Sequence, residues 1–138
     1  MLSSLKPILL VEDNPDDEAL TLRALRRSNL QNDIWVARSG QEGLDMLEQA
    51  AVLPCVVLLD LKLPKIPGLE VLRRIRASDR LRHLPVVLLT SSREERDIVE
   101  GYNSGANSYV CKPVDFEQFT TAVSQLGLYW AVINNPFP

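Results

Sequence analysis

Four short apolar runs in this chain each end on a residue able to do chemistry. Ile8-Leu9-Leu10-Val11 runs into Glu12-Asp13, Val56-Val57-Leu58-Leu59 into Asp60, Val86-Val87-Leu88-Leu89 into Thr90, and Val110-Cys111 into Lys112. Asp is rarely buried without a partner, so an acid closing the most apolar run demands an explanation. Three carboxylates gathered at one place repel one another at neutral pH. A hard divalent cation relieves that repulsion, and an all-oxygen donor set suits Mg²⁺ completed by water and a phosphate oxygen. A Thr hydroxyl and a Lys ammonium opposite would hydrogen-bond and neutralise the remaining phosphoryl oxygens. One carboxylate then acts as nucleophile, and Asp60 is best placed for it. Singly, each residue has a plainer reading: Asp60 opening a turn, Glu12-Asp13 as a polar loop, Thr90 starting a turn, Lys112 as a solvated charge. Together, five matching positions argue for a phosphoryl site.

The elements that must position these residues follow from local pattern. Short β-branched runs apolar on both sides read as strands buried on both faces of a sheet. After the first run, Asn14 is a good N-cap with Pro15 at the first helical position and Asp16 and Asp17 in the first turn, predicting a helix to about Ser28 with Leu22 and Leu25 inward. Ile34-Trp35-Val36-Ala37 is a weaker strand, and Ser39-Gly40-Gln41-Glu42 has capping-box spacing before a helix carrying Leu44 and Leu47. Cys55 opens the central strand, and Pro64, Pro67 and Gly68 stop it. Leu69, Leu72 and Ile75 mark a helix ending near Ser78. A fourth helix, capped by Ser92 with Glu95 and stopped before Gly105, has few apolar residues (Ile98, Val99, Tyr102) and is expected to pack loosely and shift easily. Ser108 to Cys111 forms the last strand, and Asp115 caps a last helix through Phe116, Phe119, Val123 and Leu126. Five repetitions of strand then helix predict one α/β domain, a parallel sheet covered on both faces and joined by right-handed crossovers. In such a sheet all C-terminal strand ends share one edge, where ligands bind.

Composition narrows the classes. The 138 residues, 46% apolar and 24% charged, are those of a single soluble globular domain. A net charge of -3 gives no electrostatic reason to expect nucleic acid or an anionic membrane. No run is long enough to span a bilayer, and Met1-Leu2-Ser3-Ser4-Leu5-Lys6 lacks signal-peptide architecture. Cys55 and Cys111 lack metal-ligand spacing and read as reduced, buried small hydrophobes, which fits the cytoplasm. His83 is the one histidine, so His-based metal sites and triads have little to build on.

From Pro7 to about Leu126 the chain resembles the receiver domains of bacterial two-component response regulators. The resemblance rests on Glu12-Asp13, on Asp60 followed by Leu63-Pro64 and Gly68, on Thr90, and on Lys112-Pro113, all in order. It implies the CheY-like, flavodoxin-like (βα)5 three-layer sandwich with strand order 2-1-3-4-5. It further implies that Asp60 accepts a phosphoryl group from a sensor histidine kinase, and that Asp13, Asp60 and the backbone carbonyl of Lys62 bind Mg²⁺ with Glu12 alongside. Lys112 would contact the phosphoryl group, its bond to Pro113 would be cis, and Thr90 and Tyr109 would move together as a switch. The output would be a two-state shift on the fourth helix, fifth strand and fifth helix. Such a domain assists its own phosphoryl transfer and loss but is no enzyme toward a separate substrate. Two departures stand out: Lys62 places a flexible cation beside the site, where it is expected to affect phosphoryl lifetime, and Ser92 offers no obvious help in positioning water.

Glu12-Asp13-Asn14-Pro15 and the tail look like the small stand-alone regulators paired with bacterial phytochromes, which makes a phytochrome-type kinase the expected upstream partner. Residues 127–138 form an apolar extension beyond the core. Leu126 to Ile133 is apolar almost all round, whereas a surface helix needs one stripe, so Leu126, Tyr129, Trp130 and Ile133 are expected to bury a second face in an isologous homodimer. Folding back onto the domain is the plainer alternative. The Arg73, Arg74, Arg76, Arg80, Arg82 cluster is expected to be a solvated face, since no DNA-reading module follows and output must pass to an unknown downstream protein. A haloacid-dehalogenase-type phosphatase would want an acid where Lys62 stands, and a flavodoxin-like carrier would want a Gly-rich phosphate loop where Glu12-Asp13 stands. The strongest rival is a phosphorylation-independent, receiver-like dimeric scaffold.

Overall fold

The computed structural model describes residues 6–27, 32–91 and 108–125. Within them the chain forms β1 (Ile8–Val11), α1 (Pro15–Arg26), β2 (Ile34–Ala37), α2 (Gly40–Gln49), β3 (Val56–Asp60), α3 (Gly68–Ala77), β4 (Val86–Thr90), β5 (Ser108–Cys111) and α4 (Phe116–Gln125). The helix expected between Ser92 and Gly105 lies outside the described residues, as do Leu126 and the tail with Tyr129, Trp130 and Ile133.

The strands pair in parallel as one five-stranded sheet in the order β2-β1-β3-β4-β5. Side chains alternate across a strand, so an all-apolar run feeds two cores at once. Leu9, Val11, Val57, Leu59, Val86 and Leu88 face α2 and α3, packing with Leu44, Leu47, Leu72 and Ile75. Ile8, Leu10, Val56, Leu58, Val87 and Leu89 face the other way, packing with Leu25 of α1 and Phe119 and Ala122 of α4. Every residue of β1, β3 and β4 is buried. This is the flavodoxin-like arrangement, with the helices in layers on both faces.

The helix starts follow their caps. Asn14 Oδ1 accepts from the Asp16 and Asp17 amides at 2.8 and 3.0 Å, with Pro15 at the first position, where a missing N–H costs nothing. Ser39 Oγ accepts from the Glu42 amide at 3.0 Å, while Glu42 reaches back to the amide of Arg38, one residue before the cap. Asp115 Oδ1 accepts from the Gln118 amide at 2.8 Å.

Three expectations change. Cys55 precedes β3, which begins at Val56, and Cys55 and Cys111 are half-buried, because one lies just before a strand and the other is the last residue of one, not in a strand interior. The arginine cluster divides: Arg73 and Arg74 are exposed and paired with Glu70, but Arg76 and Arg80 are structural. Arg76 Nη1 donates to the carbonyls of Arg82 and Leu84 at 3.1 and 2.7 Å. Arg80 donates to Leu47 O at 2.7 Å and also to Ala50 O, covering carbonyls that the end of α2 leaves open.

Candidate functional site

The parallel sheet brings the ends of β1, β3, β4 and β5 to one edge. Val11 pairs with Leu59, Asp60 with Leu89, and Thr90 with Cys111, so Glu12 follows β1 level with Asp60, while Thr90 stands one residue and Lys112 two residues further out in the neighbouring columns of the same edge. Glu12 and Thr90 are 0% exposed and Asp60 is 3% exposed, whereas Asp13 is open to solvent. Lys112 is half-buried just beyond β5, and its amide donates to Thr90 O at 2.6 Å. The Lys112–Pro113 peptide bond is cis.

The buried acids are organised around one ammonium. Lys112 Nζ lies 3.1 Å from Glu12 Oε1, 3.0 Å from Asp60 Oδ2 and 3.0 Å from Asp17 Oδ2. The other oxygen of Asp60 accepts from the Lys62 amide at 3.1 Å, which fixes the carboxylate plane. Glu12 Oε2 accepts from the Asn14 amide at 3.2 Å.

Charge crowding registers on two groups. Burial, together with a hydrogen bond and the charge of Asp60, pushes the Glu12 carboxyl up to about 7 against the pull of Asn14 and Lys112. Burial alone would lower Lys112, but hydrogen bonds to Asp17 and Asp60 and the charges of Asp60 and Glu12 outweigh it and hold the ammonium well above its ordinary value.

Oxygens of Glu12, Asp13 and Asp60 all lie within 4.8 Å of one another. An all-carboxylate set of this size, with one member exposed and one forced toward its neutral form by burial and by Asp60, fits a hard divalent cation that keeps several waters. Nothing in the donor set favours a softer metal.

The loop after Asp60 is tight. Gly68 N donates to Leu61 O at 3.0 Å, and the amide of Ile66 to Pro64 O at 2.7 Å around Lys65, whose φ of 66° is left-handed. Lys62 is an exposed residue of this loop. Tyr109 lies half-buried on β5, against the α2–α3 side of the core.

Sequence reasoning missed Asp17 as a member of the site. It reads as an ordinary first-turn acid, yet the first turn of α1 stands over the sheet edge and carries its carboxylate to Lys112, 95 residues away in the chain. Its place next to a capped helix start, one turn after a strand-end acid pair, is the signal that would have found it.

Comparison with known proteins agrees with this geometry. Residues 8–124 match the response regulator receiver domain family. The chain is 42% identical over 127 residues to a probable methanogenesis regulatory protein, FilR2, of Methanothrix harundinacea, covering 89% of this chain and 82% of that one. It is 33% identical over 130 residues to response regulator Rcp1 of Synechocystis, covering 91% and 88%. Among solved structures, the bacteriophytochrome response regulator AtBRR superposes with a TM-score of 0.89 at 54% identity, covering 96% of this chain and 99% of that one. A Mn²⁺-bound form of Rcp1 gives 0.72 at 32% identity, covering 96% and 99%. A phosphorylated cyanobacterial phytochrome response regulator, RcpA, gives 0.73 at 36%, covering 92% and 94%. With strand-end acids, threonine and lysine converging as described, the chain belongs to the response regulator receiver domain family.

Proposed function

We propose that this receiver accepts a phosphoryl group on Asp60 from a phosphohistidine of a phytochrome-type sensor histidine kinase and passes the signal on through protein contacts. The observation that carries the reading is the setting of Asp60. Its carboxylate is buried at the end of the central strand, with one oxygen held by the Lys62 amide and the other by the Lys112 ammonium. A carboxylate held on both oxygens and cleared of bulk water is a prepared nucleophile.

In the reaction an Asp60 oxygen attacks phosphorus, the P–N bond to the kinase histidine breaks, and the imidazole takes up a proton as it leaves. The product is an acyl phosphate. Glu12, Asp13 and Asp60, with the Lys62 carbonyl, would hold Mg²⁺, which when bound supplies positive charge against the phosphoryl oxygens. Lys112 supplies a fixed cation from the opposite side and loses one carboxylate partner as Asp60 becomes an acyl phosphate. Thr90 supplies a hydroxyl from the adjacent strand end, and Tyr109 follows it from β5. The kinase assignment draws on the likeness to bacteriophytochrome response regulators. A homodimer through Leu126, Tyr129, Trp130 and Ile133 is part of the same proposal, on the strength of the apolar tail, and so is a cytoplasmic setting. Among the described residues no helix is long and apolar enough to cross a membrane.

The test is intact-mass measurement after incubation with Mg²⁺ and acetyl phosphate, then with a phosphorylated kinase. A gain of about 80 Da, absent in Asp60→Asn and absent in chelator, is expected. No gain from either donor would overturn phosphoryl acceptance and favour the dimeric scaffold.

A further inference from the structure

Thr90 stands between two neighbours that want its hydroxyl in different places. β4 lies between β3, which carries Asp60, and β5, which carries Cys111 as the register partner of Thr90. In this structure the Thr90 hydroxyl is wholly buried and donates to the Cys111 thiol, with Oγ1 and Sγ 3.7 Å apart. That thiol is its hydrogen-bond partner among the described residues. The hydroxyl thus points toward β5, away from the strand that bears Asp60.

We propose that Cys111 is a positioning residue that holds the Thr90 hydroxyl on the β5 side of the sheet until a phosphoryl group on Asp60 draws it across. This rests on the phosphoryl-acceptor reading of Asp60. Thr is β-branched and stiff at χ1, so its hydroxyl moves between discrete rotamers rather than sliding. Sulfur is a weak acceptor, so the hold is shallow. A buried hydroxyl nonetheless needs some partner, and the thiol meets that need without competing strongly against charged phosphoryl oxygens. Position 111 also adjoins Lys112, and the Lys112 amide is bonded to the Thr90 carbonyl, so the hold and the ammonium move on one piece of backbone.

The test has two readouts on the full chain. The first is the χ1 rotamer population of Thr90 by NMR three-bond couplings, without phosphorylation. Wild type is expected to show one dominant rotamer, Cys111→Ala a mixture, and Cys111→Ser the wild-type rotamer, since an oxygen acceptor restores the bond. The second is the rate of Asp60 phosphorylation by acetyl phosphate with Mg²⁺. Cys111→Ala is expected to speed it roughly two- to fivefold, the worth of one weak hydrogen bond, with Cys111→Ser at or below wild type. In a Thr90→Val background the Cys111→Ala effect should vanish. An unchanged rotamer population in Cys111→Ala, a serine variant that behaves like alanine, or an effect that survives Thr90→Val would each overturn the proposal. If the rotamers respond as stated while Asp60 is never phosphorylated, the hold stands and the phosphoryl-acceptor reading fails instead.

Discussion

A Cβ atom on Gly68 would stand 2.2 Å from the backbone carbonyl oxygen of Asp60 and 2.8 Å from Cα of Leu61. The first residue of α3 is thereby pressed against the end of β3, where the acceptor stands, and both contacts are to backbone, which cannot swing aside. Gly68→Ala is expected to destabilise the fold by about 2–3 kcal/mol, the scale of overpacking a tight core. It should also slow Asp60 phosphorylation more than an equally destabilising substitution far from the site. Urea unfolding beside the acetyl phosphate rate measures both.

Glu12 gives the domain a pH dependence that opposes the usual carboxylate behaviour. Its folded pKa of about 7 lies above the ordinary 4.5, so the folded state holds the proton more tightly than the unfolded chain. For this group the native state binds more protons, and stability therefore falls as pH rises from about 4.5 to about 7, then levels. In chelator, the urea midpoint is expected to decline across that window. Mg²⁺ should remove the decline, because it stabilises the ionised acid, and Glu12→Gln should remove it in chelator while weakening Mg²⁺ affinity about 10-fold or more.

Lys112 balances Glu12, Asp17 and Asp60 at once. Lys112→Met, which keeps the apolar stem, leaves those acids without their cation. A loss of about 2–4 kcal/mol is expected at pH 8, toward the lower end of what breaking a buried pair costs because Asp17, one of the three partners, is partly open to solvent. The loss should be smaller at pH 5, where Glu12 is protonated, and partly restored by Mg²⁺. Asp17→Asn should reproduce only a minor part of it, since Asp17 is the more exposed partner. Denaturant titrations at the two pH values decide this.

Arg80 ties the segment after α3 to the end of α2 through the carbonyls of Leu47 and Ala50. Arg80→Ala is expected to cost about 1–2 kcal/mol, and Arg80→Lys to recover less than half, because one ammonium cannot reproduce two donors in a planar fork. Phosphorylation rates should stay near wild type in both. Thermal unfolding with the mass assay reads the two effects separately.

The strands, the caps and the strand-end acids were legible in the chain itself. Apolar residues on both sides of β1, β3 and β4 require burial on two faces, and Asn14, Ser39 and Asp115 start helices by contacts reaching no further than three residues. Such signals act over one turn or one pleat, so the sequence carries them whole. It also determined that Glu12, Asp13, Asp60, Thr90 and Lys112 end or directly follow strands, hence share an edge. The strand order did not follow from alternation, which allows several orders, and came from the resemblance. Tertiary structure alone decided who meets whom at that edge: Asp17 joining Lys112, Gly68 backing Asp60, the Thr90 hydroxyl turned to Cys111, and Arg80 capping a helix 30 residues earlier. Each is a contact across sequence-distant elements, set by how helices pack on the twisted sheet, and side-chain type alone cannot distinguish a solvated charge from one that packing delivers to a buried partner.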